Sequence, residues 1–181
     1  MTDITIVNMV GISKIGDNLD LNDISMALEG AEYEPEQFPG MVFRTRDPKA
    51  AFLIFKSGKV VCTGTRSVVE AQNALEIATQ RLEEVGVTGL PEPKIEIVNI
   101  VASADLGADL NLNQVAISLG LENIEYEPEQ FPGLVYRVKH PKVVLLLFST
   151  GKIICTGARN QDDLETAVEG LKKELSDLGF L

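Results

Sequence analysis

The sequence predicts an α+β fold built from two tandem copies of one unit, and three observations carry that prediction. The first is an internal repeat. Ile6-Val7-Asn8-Met9-Val10 returns 91 residues later as Ile97-Val98-Asn99-Ile100-Val101, and the octapeptide Tyr33-Glu34-Pro35-Glu36-Gln37-Phe38-Pro39-Gly40 returns letter for letter, 93 residues on, as Tyr126 to Gly133. The second is a common order of elements in each copy: a strand, a short helical stretch, a run of strands joined by turns, and one long helix. The third is that the strands are apolar on both faces. A period near 90 residues is too long for a solenoid and suits a duplicated domain with an internal pseudo-two-fold axis.

Taken in order, Ile4 to Val10 is a β-branched run and reads as a strand. Leu21–Leu28 carries Leu21, Ile24 and Leu28 at helical spacing. Ala31–Glu34 reads as a short strand leading into the Glu-Pro-Glu-Gln-Phe-Pro-Gly turn. Met41–Arg46, Ala51–Phe55 and Lys59–Thr63 follow as a hairpin meander, punctuated by Asp47-Pro48 and Ser57-Gly58. Ser67–Val85 is the long helix, with Val68, Ala71, Leu75, Ala78, Leu82 and Val85 on one stripe and Ser67 and Glu70 in capping-box spacing. Its counterpart runs from Gln161 to Leu178, with Leu164, Val168, Leu171, Leu175 and Leu178. The second copy has gained two residues near Gly120-Leu121-Glu122, and Gly86 to Pro93 links the copies. The repeats are therefore expected to span residues 1–90 and 91–181.

Composition narrows the function. A hydrophobic content of 45% supports a packed core, and no run of about 18 apolar residues is present to span a bilayer. The N-terminal Met1-Thr2-Asp3 enters a strand without a signal-type region, so a cytoplasmic protein is expected. Two cysteines, Cys62 and Cys155, without CxxC spacing and a single histidine, His140, remove most zinc and Cys/His catalytic arrangements. With no nucleophile–base pair and no Gly-rich phosphate loop, an enzyme is not expected, nor a cofactor or metal. His140, where the first copy has Asp47, reads as a surface turn residue. The net charge of −11 and a pI near 4.5 weigh against a phosphate-binding protein.

Counting faces points to a partner. Side chains alternate across a strand, so Phe52 and Ile54 oppose Ala51, Leu53 and Phe55, and both sets are apolar. The same holds for Val60 and Cys62 against Val61 and Thr63, and for Leu145 and Leu147 against Leu146 and Phe148. Two helices per copy suffice to cover one face only. The other face is left as a broad, uncharged surface, larger than the roughly few hundred Å² that monomers expose. From the residues alone, Phe38 and Phe131 read equally as loop anchors folded back on the sheet or as contacts for something outside the chain. For Phe55 and Phe148 the residues alone favour ordinary core. Cys62 and Cys155, which alternate with Thr63 and Thr156, should face the helices.

The paired Ile-Val-Asn strands, the paired Glu-Pro-Glu-Gln-Phe-Pro-Gly loops and the paired Ser/Thr-Gly-Lys…Thr-Gly hairpins resemble the TATA-box-binding protein family in its short archaeal form, over essentially the whole chain. The resemblance implies a saddle, each half a curved antiparallel sheet of about five strands with two helices on the convex face. It implies a general transcription factor that lays its concave face on the minor groove of TATA-like promoter DNA and bends it; the family is itself a standard illustration of wedge insertion. Carried over by position, Phe38, Phe55, Phe131 and Phe148 are the wedges. Asn8 and Asn99, with Thr63 and Thr156, are the central polar contacts. Val10, Leu53, Val61, Val101, Leu146 and Ile154 form the apolar floor, and Arg44, Lys59, Arg66, Arg137, Lys152 and Arg159 take the phosphate side.

That chemistry is sensible in itself. A·T pairs show only acceptors in the minor groove, whereas G·C adds an amino group that an apolar floor rejects. Pyrimidine–purine steps are the softest to unstack. The resemblance further implies transcription factor B as a protein partner, and RNA polymerase through it. The loop residues Glu127, Glu129 and Gln130 would receive that factor. The first-copy loop is identical, so the second copy is assigned by analogy alone. The competing reading is an interaction module whose apolar face binds another protein, and off DNA that face could pair with a second copy.

Overall fold

The computed structural model describes residues 2–88 and 92–181. The expected boundary at 90/91, with linker residues 89–91, lies outside the described residues. The first repeat contains β1 (Ile4–Lys14), α1 (Leu21–Ala27), β2 (Met41–Arg46), β3 (Lys49–Ile54), β4 (Lys59–Thr65) and α2 (Val68–Glu84). The second contains β5 (Glu96–Asp105), α3 (Leu112–Leu119), β6 (Ile124–Glu125), β7 (Leu134–Val138), β8 (Val143–Leu147), β9 (Lys152–Ala158) and α4 (Gln161–Asp177). Strands run in the order β2-β3-β4-β1 in the first repeat and β5-β9-β8-β7-β6 in the second, antiparallel at each of these junctions.

The expectation of about five strands holds fully in the second repeat. In the first, the expected strand at Ala31–Glu34 contracts to a single bridge, Glu32 to Val42. Compact units do not follow the repeats to the residue: one is Asn8–Val98, the other Met1–Val7 with Asn99–Leu181. The start of each leading strand thus packs with the other repeat's unit. In the first unit Gln72 holds this segment, its Oε1 accepting from Ile95 N–H at 2.9 Å and its Nε2 donating to Pro93 O at 2.8 Å. In the second, Thr2 N–H donates to Glu169 Oε1 at 2.7 Å, and that bond holds the Glu169 carboxyl below its ordinary pKa.

Each helix begins where a short polar side chain can satisfy a free N–H of the first turn. Asp20, Ser67, Asn111 and Asn160 accept from Asp23, Glu70, Gln114 and Asp163 N–H respectively. Such caps contribute about 1 kcal/mol each. At α2 the capping box is half formed, because Glu70 Oε2 reaches Arg66 N–H at 3.4 Å and not the N–H of Ser67.

One face of each sheet is closed by these helices. Phe52, Ile54, Val60, Cys62 and Met41 are buried with Leu75, Ala78 and Leu82 in a single cluster. Leu134, Leu145, Leu147, Ile153 and Cys155 are buried in the second repeat, as are Leu164, Val168, Leu171 and Leu175 of α4. The helical stripes are shorter than expected: Val68, in the first turn of α2, and Leu178, one residue past α4, are exposed. Cys62 and Cys155 lie in the core as expected, and burial pushes both thiols up to about 11.

Candidate functional site

The uncovered face is assembled by strand register. Residues directly opposite on antiparallel strands share a face, so Ile12, Val61, Leu53 and Val42 form one apolar row across β1, β4, β3 and β2. Ser103, Ile154, Leu146 and Val135 form the matching row in the second repeat. All eight are half-buried. Val61, Leu53, Ile154 and Leu146 were expected in the floor. Ile12, Ser103, Val42 and Val135 were missed, although the alternation of Met41 and Phe43 with Val42 already marked the last pair.

A second row carries the polar centre. In the first repeat Thr63 pairs with Ala51 and Ala51 with Arg44; in the second, Thr156 pairs with Val144 and Val144 with Arg137. Each Thr precedes a Gly at positive φ, Gly64 at 96° and Gly157 at 98°, a conformation that only glycine adopts without strain. The resulting irregularity in register, opposite Val10 and Val101, turns the Gly N–H toward the neighbouring asparagine. Gly64 N–H donates to Asn8 Oδ1 and Gly157 N–H to Asn99 Oδ1, both at 2.7 Å.

Those two bonds fix the amides. With Oδ1 occupied by a donor, the NH₂ end must face the threonine: Asn8 Nδ2 donates to Thr63 Oγ1 at 3.0 Å, Asn99 Nδ2 to Thr156 Oγ1 at 3.4 Å. An amide carries two N–H donors and a hydroxyl carries one proton. One amide N–H thus stays uncommitted in each repeat, and the threonine proton has only a long contact, 3.5 Å in the first repeat and 3.4 Å in the second. Val10 and Val101 lie beside these groups, half-buried.

The loop phenylalanines resolve the opening ambiguity in a specific way. Phe38 meets Phe55 edge-on at 5.8 Å, and Phe131 meets Phe148 at 5.9 Å. Pairs of this kind contribute about 0.5–1.5 kcal/mol beyond burial. Yet Phe38 is still 39% exposed and Phe131 40%, so the rings are anchored without being covered. Phe55 and Phe148, for which ordinary core was favoured, are half-buried on the open face. The loop's last glycine explains itself here: a Cβ on Gly40 or Gly133 would come within 2.7 Å of the Phe38 or Phe131 ring. Glu34 and Glu127 hold each loop as a helical turn, their carbonyls accepting from Phe38 and Phe131 N–H. Glu127, Glu129 and Gln130 are all exposed there.

Cations border the face. Arg44, Lys59, Arg66, Arg137, Lys152 and Arg159 are all exposed. Arg44 lies 3.9 Å from Glu32 and Arg137 3.5 Å from Glu125. Exposed pairs of this type are worth about 0–1 kcal/mol, so both guanidinium groups remain exchangeable. Among the described residues no three His, Cys, Asp or Glu side chains are grouped to hold a metal, and no helix is long and apolar enough to cross a membrane. His140 is an exposed turn residue before the cis bond to Pro141.

An uncharged surface presenting hydrogen-bond donors at its centre, cations at its border and stacked rings at its tip suits a binding protein for a partner with acceptors inside and anions outside. It has the character of a nucleic-acid-binding surface, not of a catalytic cleft. The chain belongs to the family described as "Transcription factor TFIID (or TATA-binding protein, TBP)", whose model matches residues 3–85 and again 94–178. It is 54% identical to the TATA-box-binding protein of Archaeoglobus fulgidus over 98% of this chain and 97% of that one. To its Thermoplasma volcanium counterpart it is 51% identical, with coverage of 98% and 97%. Its structure resembles the Methanococcus jannaschii TBP with a TM-score of 0.88 and 49% identity, over 97% of this chain and 99% of the other. The tandem α+β fold expected from the repeat is the fold of that family.

Proposed function

We propose that this chain is a transcription initiation factor that binds TATA-like promoter DNA in the minor groove. The open faces of the two repeats lie on the bases, and the Phe38/Phe55 and Phe131/Phe148 pairs enter base steps and bend the duplex. The observation that carries the reading is the pairing, in each repeat, of an anchored but exposed phenyl stack with a largely apolar row, one uncommitted amide N–H and a weakly held threonine hydroxyl. Donors at the centre match the acceptors A N3 and T O2, and the apolar rows disfavour the N2 amino group of guanine. Arg44, Lys59, Arg66 and their counterparts Arg137, Lys152 and Arg159 meet phosphates. Glu127, Glu129 and Gln130 receive transcription factor B, which recruits RNA polymerase.

The chemistry gives a sharp test. Replacing the A·T pairs of a TATA-like duplex by I·C pairs changes the major groove and leaves the minor groove without the amino group, whereas G·C pairs restore it. Competition binding should rank A·T and I·C duplexes together and G·C well below. Loss of binding on I·C substitution would refute minor-groove reading. With a net charge of −11, long-range repulsion should also make the decline of log K with log salt shallower than for a basic protein with the same phosphate contacts.

A further inference from the structure

Resting on that promoter reading, we propose that Lys14 is a further phosphate-binding residue and that, with Lys59, it makes the first repeat the stronger electrostatic grip on DNA. In the first repeat the row beyond Ile12 and Val61 is Lys14 directly opposite Lys59. In the second repeat the same register places Asp105 opposite Lys152. The repeat therefore sets two cations side by side at one border and a cation against an anion at the other. Like charges opposite one another on antiparallel strands are unfavourable, and an opposite-charge pair is favourable.

Both pairs sit beside the phenylalanine that follows the neighbouring strand, Phe55 after β3 and Phe148 after β8. The Lys59 carbonyl accepts from Phe55 N–H at 2.9 Å, and the Lys152 carbonyl from Phe148 N–H at 3.0 Å. Asp105 and Lys152 also share the wall of a 710 Å³ recess with Phe148, Ser103 and Ile154. All four charged side chains are exposed and lie on the open face, in step with the apolar row next to them.

Existing partners do not cancel the difference. Lys14 Nζ lies 2.8 Å from Asp17 Oδ1, but that pair is 65% and 83% exposed, open to water and to exchange. Asp17 aligns with Ala108 in the second repeat. Asp105 Oδ1 accepts from Gly107 N–H at 2.9 Å, which keeps its carboxylate in place beside the Lys152 strand. A phosphate arriving at the first border thus meets two cations, one of them held by the exposed Asp17, whereas one arriving at the second meets Lys152 alone with Asp105 on the facing strand.

The experiment is equilibrium binding of the full chain to a TATA-like duplex across a series of salt concentrations, for the wild type, Lys14→Ala, Asp105→Ala and Lys152→Ala. Each phosphate neutralised adds about 0.9 to the slope of log K against log salt. Lys14→Ala should flatten the slope by about that amount and weaken binding several-fold at low salt, on TATA and unrelated duplexes alike. Asp105→Ala should leave binding unchanged or tighten it, and Lys152→Ala should cost less than Lys14→Ala. Thermal unfolding without DNA should be unaltered or slightly raised in Lys14→Ala, which a structural role through Asp17 would not give. An unchanged slope in Lys14→Ala, or an equal loss in Asp105→Ala, overturns the proposal while the promoter reading stands. A wild type with no affinity for the duplex removes both.

Discussion

Phe43 and Tyr136 occupy equivalent places on β2 and β7, and their neighbours on the long helices have exchanged sign. Arg81 lies over the Phe43 ring, 5.7 Å from its centroid. At the equivalent position of α4 stands Glu174, which accepts a 3.0 Å hydrogen bond from the Tyr136 hydroxyl. The contact is the same in place and opposite in chemistry. On the open face the repeats instead agree nearly residue for residue, down to a 2.7 Å bond between glycine and asparagine in each. The two copies have stayed alike on the open face and have diverged where the long helices meet the outer strands. The exceptions on the face that change polarity or charge, Ile12 against Ser103 and Lys14 against Asp105, are where the halves should behave differently.

The largest difference between halves should appear in the core. Phe52 is fully buried, and its counterpart in the second repeat is the smaller Leu145, also fully buried. Phe52→Ala should cost about 3–5 kcal/mol and Leu145→Ala about 2–5, measured by chemical denaturation. Equal costs would mean that the second core collapses less well around the smaller cavity.

Next in size are the amides. Asn8→Ala and Asn99→Ala each leave a glycine N–H and a threonine without their partner, a loss of about 1 kcal/mol by the usual net worth of a hydrogen bond. Because Asn8 reaches Thr63 at 3.0 Å and Asn99 reaches Thr156 at 3.4 Å, the first substitution should cost more, both in stability and in affinity for an A·T-rich duplex. A larger loss in Asn99→Ala would break the ranking.

The smallest effect concerns alkaline pH. Burial, reinforced by the hydrogen bond to Glu174 and the charge of that carboxylate, pushes the Tyr136 hydroxyl up to about 12. The folded state therefore holds this proton more tightly than the unfolded chain, whose tyrosine titrates near about 10. The stabilisation is complete below about pH 10 and is lost as pH rises toward about 12. The two core thiols are displaced in the same direction in both repeats, so they form a common background. Tyr136→Phe should flatten the pH dependence of stability in this window relative to the wild type. An unchanged curve would mean that the hydroxyl is more open to solvent than its contacts indicate.

Much of this was legible in the sequence because the repeat acts as its own control. Asn8 alone is an unremarkable strand amide; with Asn99 at the same place in the second copy, each bonded across strands to a Thr-Gly, it becomes a candidate site residue. The apolar face was legible from alternation along β3 and β8. What was hidden depends on pairing across strands. The row joining Ile12 to Val42 needs the register set by the irregularity at Gly64, which sequence spacing does not reveal. The strand expected at Ala31–Glu34 failed because only one bridge forms at Glu32, where its counterpart forms a two-residue strand. Lys14 was hidden for the opposite reason: searching for residues shared by the copies passes over a position where they differ.

The bend of the bound duplex tests the central claim most directly. Mobility-shift measurements on circularly permuted probes should show mobility that depends on the position of the TATA-like site within the fragment. The double substitution Phe131→Ala with Phe148→Ala should abolish that dependence while the unfolding transition is retained. Binding by the wild type with position-independent mobility, or an undiminished bend in the double variant, would contradict the assignment of the phenylalanine pairs as wedges.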